Sequence, residues 1–400
     1  MFIVMIAIFL SPIYLIINYY LYRKILKWFH ICNKFFKKKY FKYILLSTYF
    51  FFALSGVIGF ILKQCKLKRI FMCIGNYWLG VLLYLFLTII VFEILRIIFK
   101  KNGKLRNSKL YTSKGYFING ILCTVIIASI CILGVINARI IHTTNYDIKI
   151  NKKINDVSNM KIVMVADLHI GYNIGDKQIS NMVKLINKED ADLVLIVGDI
   201  FDNSYEAIDN PDKIINDLKN IKSKNGVYAV YGNHDIDEKT LFGFTFKYHD
   251  EKMSAKEMDD FLNKANITLL RDENVLLNDS VYLIGRADRT RPGRDISVRK
   301  MPSELTEELD KSKPIIVLDH QPKEQDLLNE AGVDLDLSGH THDGQLFPGN
   351  IIVNIMWDNA YGYKKYGNLH NIVTSGVGLY GPNMRIGTKA EITVINVEFE

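Results

Sequence analysis

At 400 residues the chain has room for two or three domain-sized units, and its net charge of +8 is divided very unevenly between them. Residues 1–150 hold 21 Lys+Arg against only Glu93 and Asp147, a balance of +19, and the remainder stands at −11, so the basic excess belongs to the first part and nucleic-acid binding is a poor explanation for it. All five cysteines, Cys32, Cys65, Cys73, Cys123 and Cys131, lie in that first part, which excludes Cys nucleophiles, disulfides and thiolate metal sites from the rest.

The segment from Met1 to about Tyr22 is almost wholly apolar. It is long enough to cross a bilayer, which takes roughly 20 residues. With no positively charged leader and no small-residue cleavage site, it reads as a retained helix. Three more apolar runs follow at about Tyr43–Leu62, Tyr77–Phe99 and Phe117–Asn137, separated by basic loops. The expectation is a four-helix transmembrane domain over residues 1–140. Loops one and three carry 14 basic residues, against 8 in loop two and the stretch after the last run. The positive-inside rule puts loops one and three in the cytoplasm and both termini outside. Between Lys24 and Lys42, Ile25, Trp28, Phe29, Cys32, Phe35 and Phe36 recur at three- and four-residue steps among lysines. That spacing predicts a basic amphipathic helix on the inner leaflet. Glu93 and Arg96, three apart near one end of the third span, read as structural residues and not as a transport pathway.

A polar linker is expected over 141–159, and a catalytic domain over 160–400. In that domain, short β-branched runs alternate with amphipathic helical stretches such as Asp176–Asn187. The runs at 161–166, 193–197, 227–231, 314–318 and 333–337 read as buried strands, and each leads into metal-binding residue types. The exits are Asp167-Leu168-His169, Gly198-Asp199, Gly232-Asn233-His234-Asp235, Asp319-His320-Gln321-Pro322 and Gly339-His340-Thr341-His342. Open α/β sheets place ligand sites at such C-terminal strand ends.

Taken in order from about residue 160 to the C-terminus, this series resembles the calcineurin-like metallophosphoesterases. Gly226–Gly232 and His340–Gln345 are most similar to the membrane-attached bacterial branch, with Asp343 where that branch usually has Gly. The resemblance implies an α/β fold, a two-layer β-sandwich flanked by helices, with two divalent ions (Mn, Fe, Zn, Co or Ni) bound by N and O ligands. Asp167, His169 and His342 would bind one ion and Asn233, His320 and His340 the other, with Asp199 bridging. Two such cations clamp attacking and leaving oxygens and make a hydroxide available near neutral pH. His234 would face the substrate, with Asp235 orienting it. Asp319 and Asp343 are either hydrogen-bonded to ligating imidazoles or solvated loop residues.

Two loops keep two readings each. In the glycine-rich stretch Ser375–Arg385, either Arg385 or backbone amides contact a phosphate, or the loop is structural. In Gly285–Arg294, Arg286, Arg289, Arg291 and Arg294 either recognise an anionic substrate or form surface salt bridges. The expected function is hydrolysis of a phosphodiester or pyrophosphate, at the outer face of a membrane, on lipid-linked or cell-wall substrates. The alternative is a catalytically silent metal-binding sensor or scaffold on the same fold.

Overall fold

The computed structural model describes residues 2–101, 112–152, 154, 158–241, 244–246 and 255–400. The chain divides into two compact units: residues 1–136 with 240–246 and 381–384, and residues 137–239, 247–380 and 385–400.

The first unit is helical, with α1 (Phe2–Cys32), α2 (Lys39–Ile61), α3 (Lys66–Lys101) and α4 (Ser113–Asn137). The helices α2, α3 and α4 are long and apolar enough to cross a membrane by length and composition. Even the 23 residues of α2 rise about 35 Å, against about 30 Å of hydrocarbon. Among the described residues three candidate spans are therefore found where the sequence suggests four. The expected first span falls within α1, but the side chains of residues 1–10 lie outside the described residues, as do Lys104, Arg106 and Lys109 of the third loop. Between α2 and α3 the backbones come close: a Cβ on Gly75 would meet Gly56 Cα at 2.6 Å, which only glycine permits.

The separate interfacial helix expected over 24–42 is absent. Residues 24–32 continue α1, a 3₁₀ turn covers Lys34–Lys37, and α2 begins at Lys39. The aromatic residues behind that expectation pack on one another instead, with the Phe29, Phe36 and Phe41 rings 4.6 to 5.2 Å apart. Glu93 of α3 binds Lys24 of α1 at 2.8 Å, a pairing between helices, and Arg96 one turn along its own helix at 3.6 Å.

The strands in chain order are β1 (Ile141–Ile150), β2 (Asn159–Val165), β3 (Leu193–Val197), β4 (Val227–Val230), β5 (Lys239–Leu241), β6 (Phe244–Phe246), β7 (Thr268–Leu269), β8 (Glu273–Leu277), β9 (Val281–Gly285), β10 (Ile315–Leu318), β11 (Leu335–Ser338), β12 (Gly362–Tyr366), β13 (Leu369–Val373) and β14 (Ala390–Phe399). Two six-stranded sheets build the second unit, in the orders β1-β14-β2-β3-β4-β7 and β12-β13-β11-β10-β9-β8. Strand alternation makes both faces of each sheet apolar. Ile162 and Met164 of β2 meet Ile316, Leu318, Leu335 and Leu337 in a core between the sheets. Val163 and Val165 point the other way, into a core with α5 (Asp176–Lys188), α6 (Pro211–Lys219) and α7 (Lys256–Lys264). On the far side of the second sheet, Ile315, Val317 and Leu369 pack with Leu305 of α8 (Pro302–Thr306) and Leu328 of α9 (Gln325–Glu330). This is the expected two-layer sandwich flanked by helices.

The linker expected over 141–159 is instead largely a strand. β1 pairs in parallel with β14 along its whole length, Ile141 opposite Ala390 and Ile150 opposite Phe399. Its inward positions, Tyr146, Ile148 and Ile150, reach the inter-sheet core. The other positions, such as Thr143, Asn145, Asp147 and Lys149, are the polar face of an edge strand, and they hid the alternation.

Candidate metal centre

β2, β3 and β4 run parallel in one sheet, and β10 and β11 run parallel in the other. Their C-terminal ends deliver two groups of side chains. One group is Asp167, His169 and His342, and the other is Asp199, His320 and His340; within each group the ligand atoms lie within 4.8 Å of one another. Asp199 faces both, since its Oδ2 is 3.1 Å from His320 Nε2 and 3.7 Å from His169 Nε2. Of the residues named from the sequence, Asp167, His169 and His342 thus lie together, and Asp199 lies with His320 and His340.

The chain is bent sharply to bring the ligands inward. Asp167, His169, Asp199, His340 and His342 all have φ between +45° and +70°. L residues seldom adopt that region and do so at a cost in strain, which is characteristic of functional sites. Gly232 makes the crowding possible: a Cβ there would lie 2.3 Å from Asp199 Oδ1 and 2.7 Å from His320 Cδ2.

The donor set fits divalent cations. Among the described residues, His169 Nδ1, His340 Nδ1 and Asn233 Oδ1 are buried with no hydrogen-bond partner, a costly state unless something binds them. His320 Nδ1 lies 2.9 Å from the Val197 carbonyl, which can only accept, so Nδ1 carries the hydrogen and the Nε2 lone pair faces the site. His169 Nε2 and His342 Nε2 are only 3.1 Å apart. Burial pushes His169 and His340 down to about 3, so both present neutral rings. Burial likewise raises Asp167 to about 7, assisted by the Asp199 charge and opposed by His320. Burial also acts against charge on Asp199 and on His320, but their mutual attraction overrides it, so Asp199 is held well below its ordinary value and His320 well above.

His234 is buried beside this centre. Its Nδ1 lies 2.5 Å from Asn203 Oδ1, and its ring is 4.3 Å from that of Tyr380 and 5.2 Å from that of His169. Asp235 does not orient it. The Asp235 carboxylate accepts from the backbone N–H groups of Phe201 at 2.8 Å and Gly232 at 2.7 Å, which pins the turns carrying Asp199 and Asn233. Asn203 takes the expected role of Asp235, and its only sequence signal is its place in the polar run after β3. Asp202, in the same run, puts Oδ1 3.9 Å from His169 Nδ1; burial and Asp199 push it up to about 7. Tyr380 gave no sequence signal.

Arg385 is fully buried. It donates to the carbonyls of Ser375 (2.7 Å), Gly378 (2.8 Å) and Lys389 (2.8 Å), contacts of the kind the structural reading of the glycine-rich loop expects. That loop abuts a ligand, as Gly378 N–H donates to the Asp167 carbonyl at 2.7 Å. The arginines after β9 are salt-bridged. Arg286 pairs with Asp319 (2.5 Å) and Glu324 (3.0 Å), Arg289 with Glu324, Arg291 with Glu238 and Arg294 with Asp259. Asp319 is held by Arg286 and Arg299 and is therefore neither of the things expected of it. Asp343 is half-buried, and burial raises its carboxyl against a hydrogen bond from Thr388.

Residues 160–344 match the family described as calcineurin-like phosphoesterase. A protein named as a metallophosphoesterase in Helicobacter pylori J99 is 31% identical over 266 residues, covering 66% of this chain and 65% of that one. A Campylobacter jejuni metallophosphoesterase is 30% identical over 242 residues, covering 60% and 59%. A Danio rerio protein named as a transmembrane protein with a metallophosphoesterase domain is 30% identical over 275 residues, covering 66% and 60%. The chain thus spans slightly less than two thirds of the length of each of these relatives.

Proposed function

Since residues 160–344 belong to the calcineurin-like phosphoesterases, we infer that this chain hydrolyses a phosphodiester or pyrophosphate bond at a dinuclear metal centre. The observation that carries the reading is the meeting of two three-ligand groups at Asp199, with buried ligand atoms left without hydrogen-bond partners. Two divalent cations, when bound, neutralise phosphoryl charge and lower the pKa of water toward neutrality. Asp167, His169 and His342 would hold one, Asn233, His320 and His340 the other, and Asp199 both.

The protein's own groups account for the proton. Because Asn203 Oδ1 can only accept, Nδ1 of His234 bears a hydrogen, and Nε2 is the atom free to exchange one with substrate. Burial lowers His234, so the ring is neutral in the free protein. An anionic phosphoester beside it favours the imidazolium, so the proton becomes available to the leaving oxygen in the complex. In the overall step water's oxygen bonds to phosphorus, the bond to the leaving alkoxide breaks, and that oxygen takes a proton.

The catalytic unit is inferred to lie outside the cytoplasm, a reading supported by the 14 basic residues of loops one and three and by taking α1 as a fourth span. The full chain, in lipid nanodiscs, should cleave bis(p-nitrophenyl) phosphate only when Mn or a related divalent ion is supplied. Stoichiometric metal uptake with no cleavage of diesters or pyrophosphates would favour the sensor reading instead.

A further inference from the structure

One segment of the catalytic unit is unlike the rest of its surface. Helix α10 (Gly349–Met356) follows the His342–Gly344 turn closely and contains no charged residue; its sequence is GNIIVNIM. On it Ile351, Ile352, Ile355 and Met356 are exposed, Ile355 by 81% and Met356 by 64%. Single exposed apolar side chains are ordinary, but four within the six residues from Ile351 to Met356 form a patch that calls for a partner. By contrast α5, α6 and α7 bury their apolar residues and carry charged ones among the remainder.

The patch adjoins the metal centre. Trp357, directly after α10, has its ring 5.1 Å from that of His340, and the Lys323 ammonium lies 4.2 Å from the Trp357 ring centroid. A Trp and a Lys at the base of an apolar stripe are the residue types that occupy the headgroup level of a bilayer. The face is too small for a stable dimer, which takes about 800 Å² and 20–30 residues per partner. Shallow insertion needs less where the chain is already held at a membrane, because the second attachment is intramolecular. Three residues of sequence separate Asn137, the end of candidate span α4, from Ile141, the start of β1.

We propose that α10 is a membrane-seated element that dips its apolar face into the lipid interface and presents phosphoesters borne by the bilayer to the metal centre. The element rests on its own geometry, whereas the substrate class, a phosphoester carrying a lipid tail, rests also on the hydrolase reading. A soluble phosphoester would have no use for the element.

Two readouts separate these parts. A diazirine amino acid placed at Ile355 in the full chain, in nanodiscs of phosphatidylethanolamine and phosphatidylglycerol, should yield a phospholipid adduct on irradiation. The same probe at the exposed Glu307 should not. Adducts to protein (a second copy or the chain's own helices), adducts at both positions, or none at Ile355 would overturn the membrane-seated element. For substrate class, Ile352→Glu/Ile355→Glu should lose at least tenfold in cleaving phosphatidyl-p-nitrophenol embedded in the discs, while bis(p-nitrophenyl) phosphate in solution is cleaved within twofold of wild type. Equal losses on both substrates, or none on either, would overturn the assignment to lipid-borne esters. A wild-type chain that cleaves neither substrate overturns the hydrolase reading and the substrate class with it, and the adduct still decides the element.

Discussion

Asp199 places one carboxylate oxygen within 3.7 Å of a histidine nitrogen from each of the two side-chain groups, the position from which it is proposed to serve both cations. Asp199→Asn removes that common charge, so metal content by mass spectrometry and turnover should fall together, and further than for Asn233→Ala or His340→Ala. Retention of two metals and most turnover would remove Asp199 from the bridging role. His234 is argued to move a proton without holding metal. His234→Ala should therefore keep its metal while the rate falls by about 10²–10⁴, least for esters with acidic leaving groups. Asn203→Ala, which frees the ring that Asn203 holds, should cost about 10–100-fold by analogy with other residues that orient a ligand. Metal lost in parallel with rate in His234→Ala would make His234 a ligand or a support.

At the scale of elements, the segment Ser375–Arg385 braces the turns that carry the metal-centre side chains, through the Arg385 guanidinium and the Gly378 amide. Arg385→Met leaves buried carbonyls of Ser375, Gly378 and Lys389 without a donor. Thermal unfolding should show a loss of at least about 3 kcal/mol, with KM little changed in whatever fraction stays folded; a raised KM at unchanged stability would restore the phosphate-binding reading. Glu391 of β14 works at the same junction. Burial acts to raise it, but Thr144, the Ser375 N–H, Lys389 and Thr374 together hold it below the ordinary glutamate range. A depressed folded-state value means stability that is fully present above the unfolded pKa and lost as pH falls through the folded one. The stability advantage of wild type over Glu391→Gln should accordingly be constant above about pH 5 and shrink below about pH 4.3, as followed by denaturant midpoints.

The strands that carry ligands were legible because Val and Ile runs such as 193–197 are buried on both faces and stop at glycine or a carboxylate. The side chains that meet in the two groups were legible because few other residue types bind metal. β1 was not, since Thr143, Asn145, Asp147 and Lys149 face outward on an edge. Nor was the exchange of roles between Asp235 and Asn203, because adjacency in sequence does not survive the turn that sends the Asp235 carboxylate to the Phe201 and Gly232 amides. Arg286 and Arg385 looked like phosphate ligands for want of visible partners. Their partners, Asp319 and the loop carbonyls, come from distant strands or from backbone atoms that no sequence pattern displays.

For the whole molecule, the decisive question is on which side of the bilayer the metal centre works. With loops one and three inside, protease added to cells stripped of their wall should digest the chain from about residue 145 onward and spare loop one. Resistance until the membrane is broken would mean that one span has been miscounted, and would move the search to cytoplasmic phosphoesters. The order of strands in the first sheet bears on how the molecule is made. β14 (Ala390–Phe399) lies between β1 and β2, parallel to one and antiparallel to the other. During translation neither β1 nor the adjoining edge of β2 has its neighbour until β14, about 240 residues after β1, has left the ribosome. The nascent sheet therefore remains open while the helices of residues 2–137 have long been available for insertion, and it closes only once β14 has emerged.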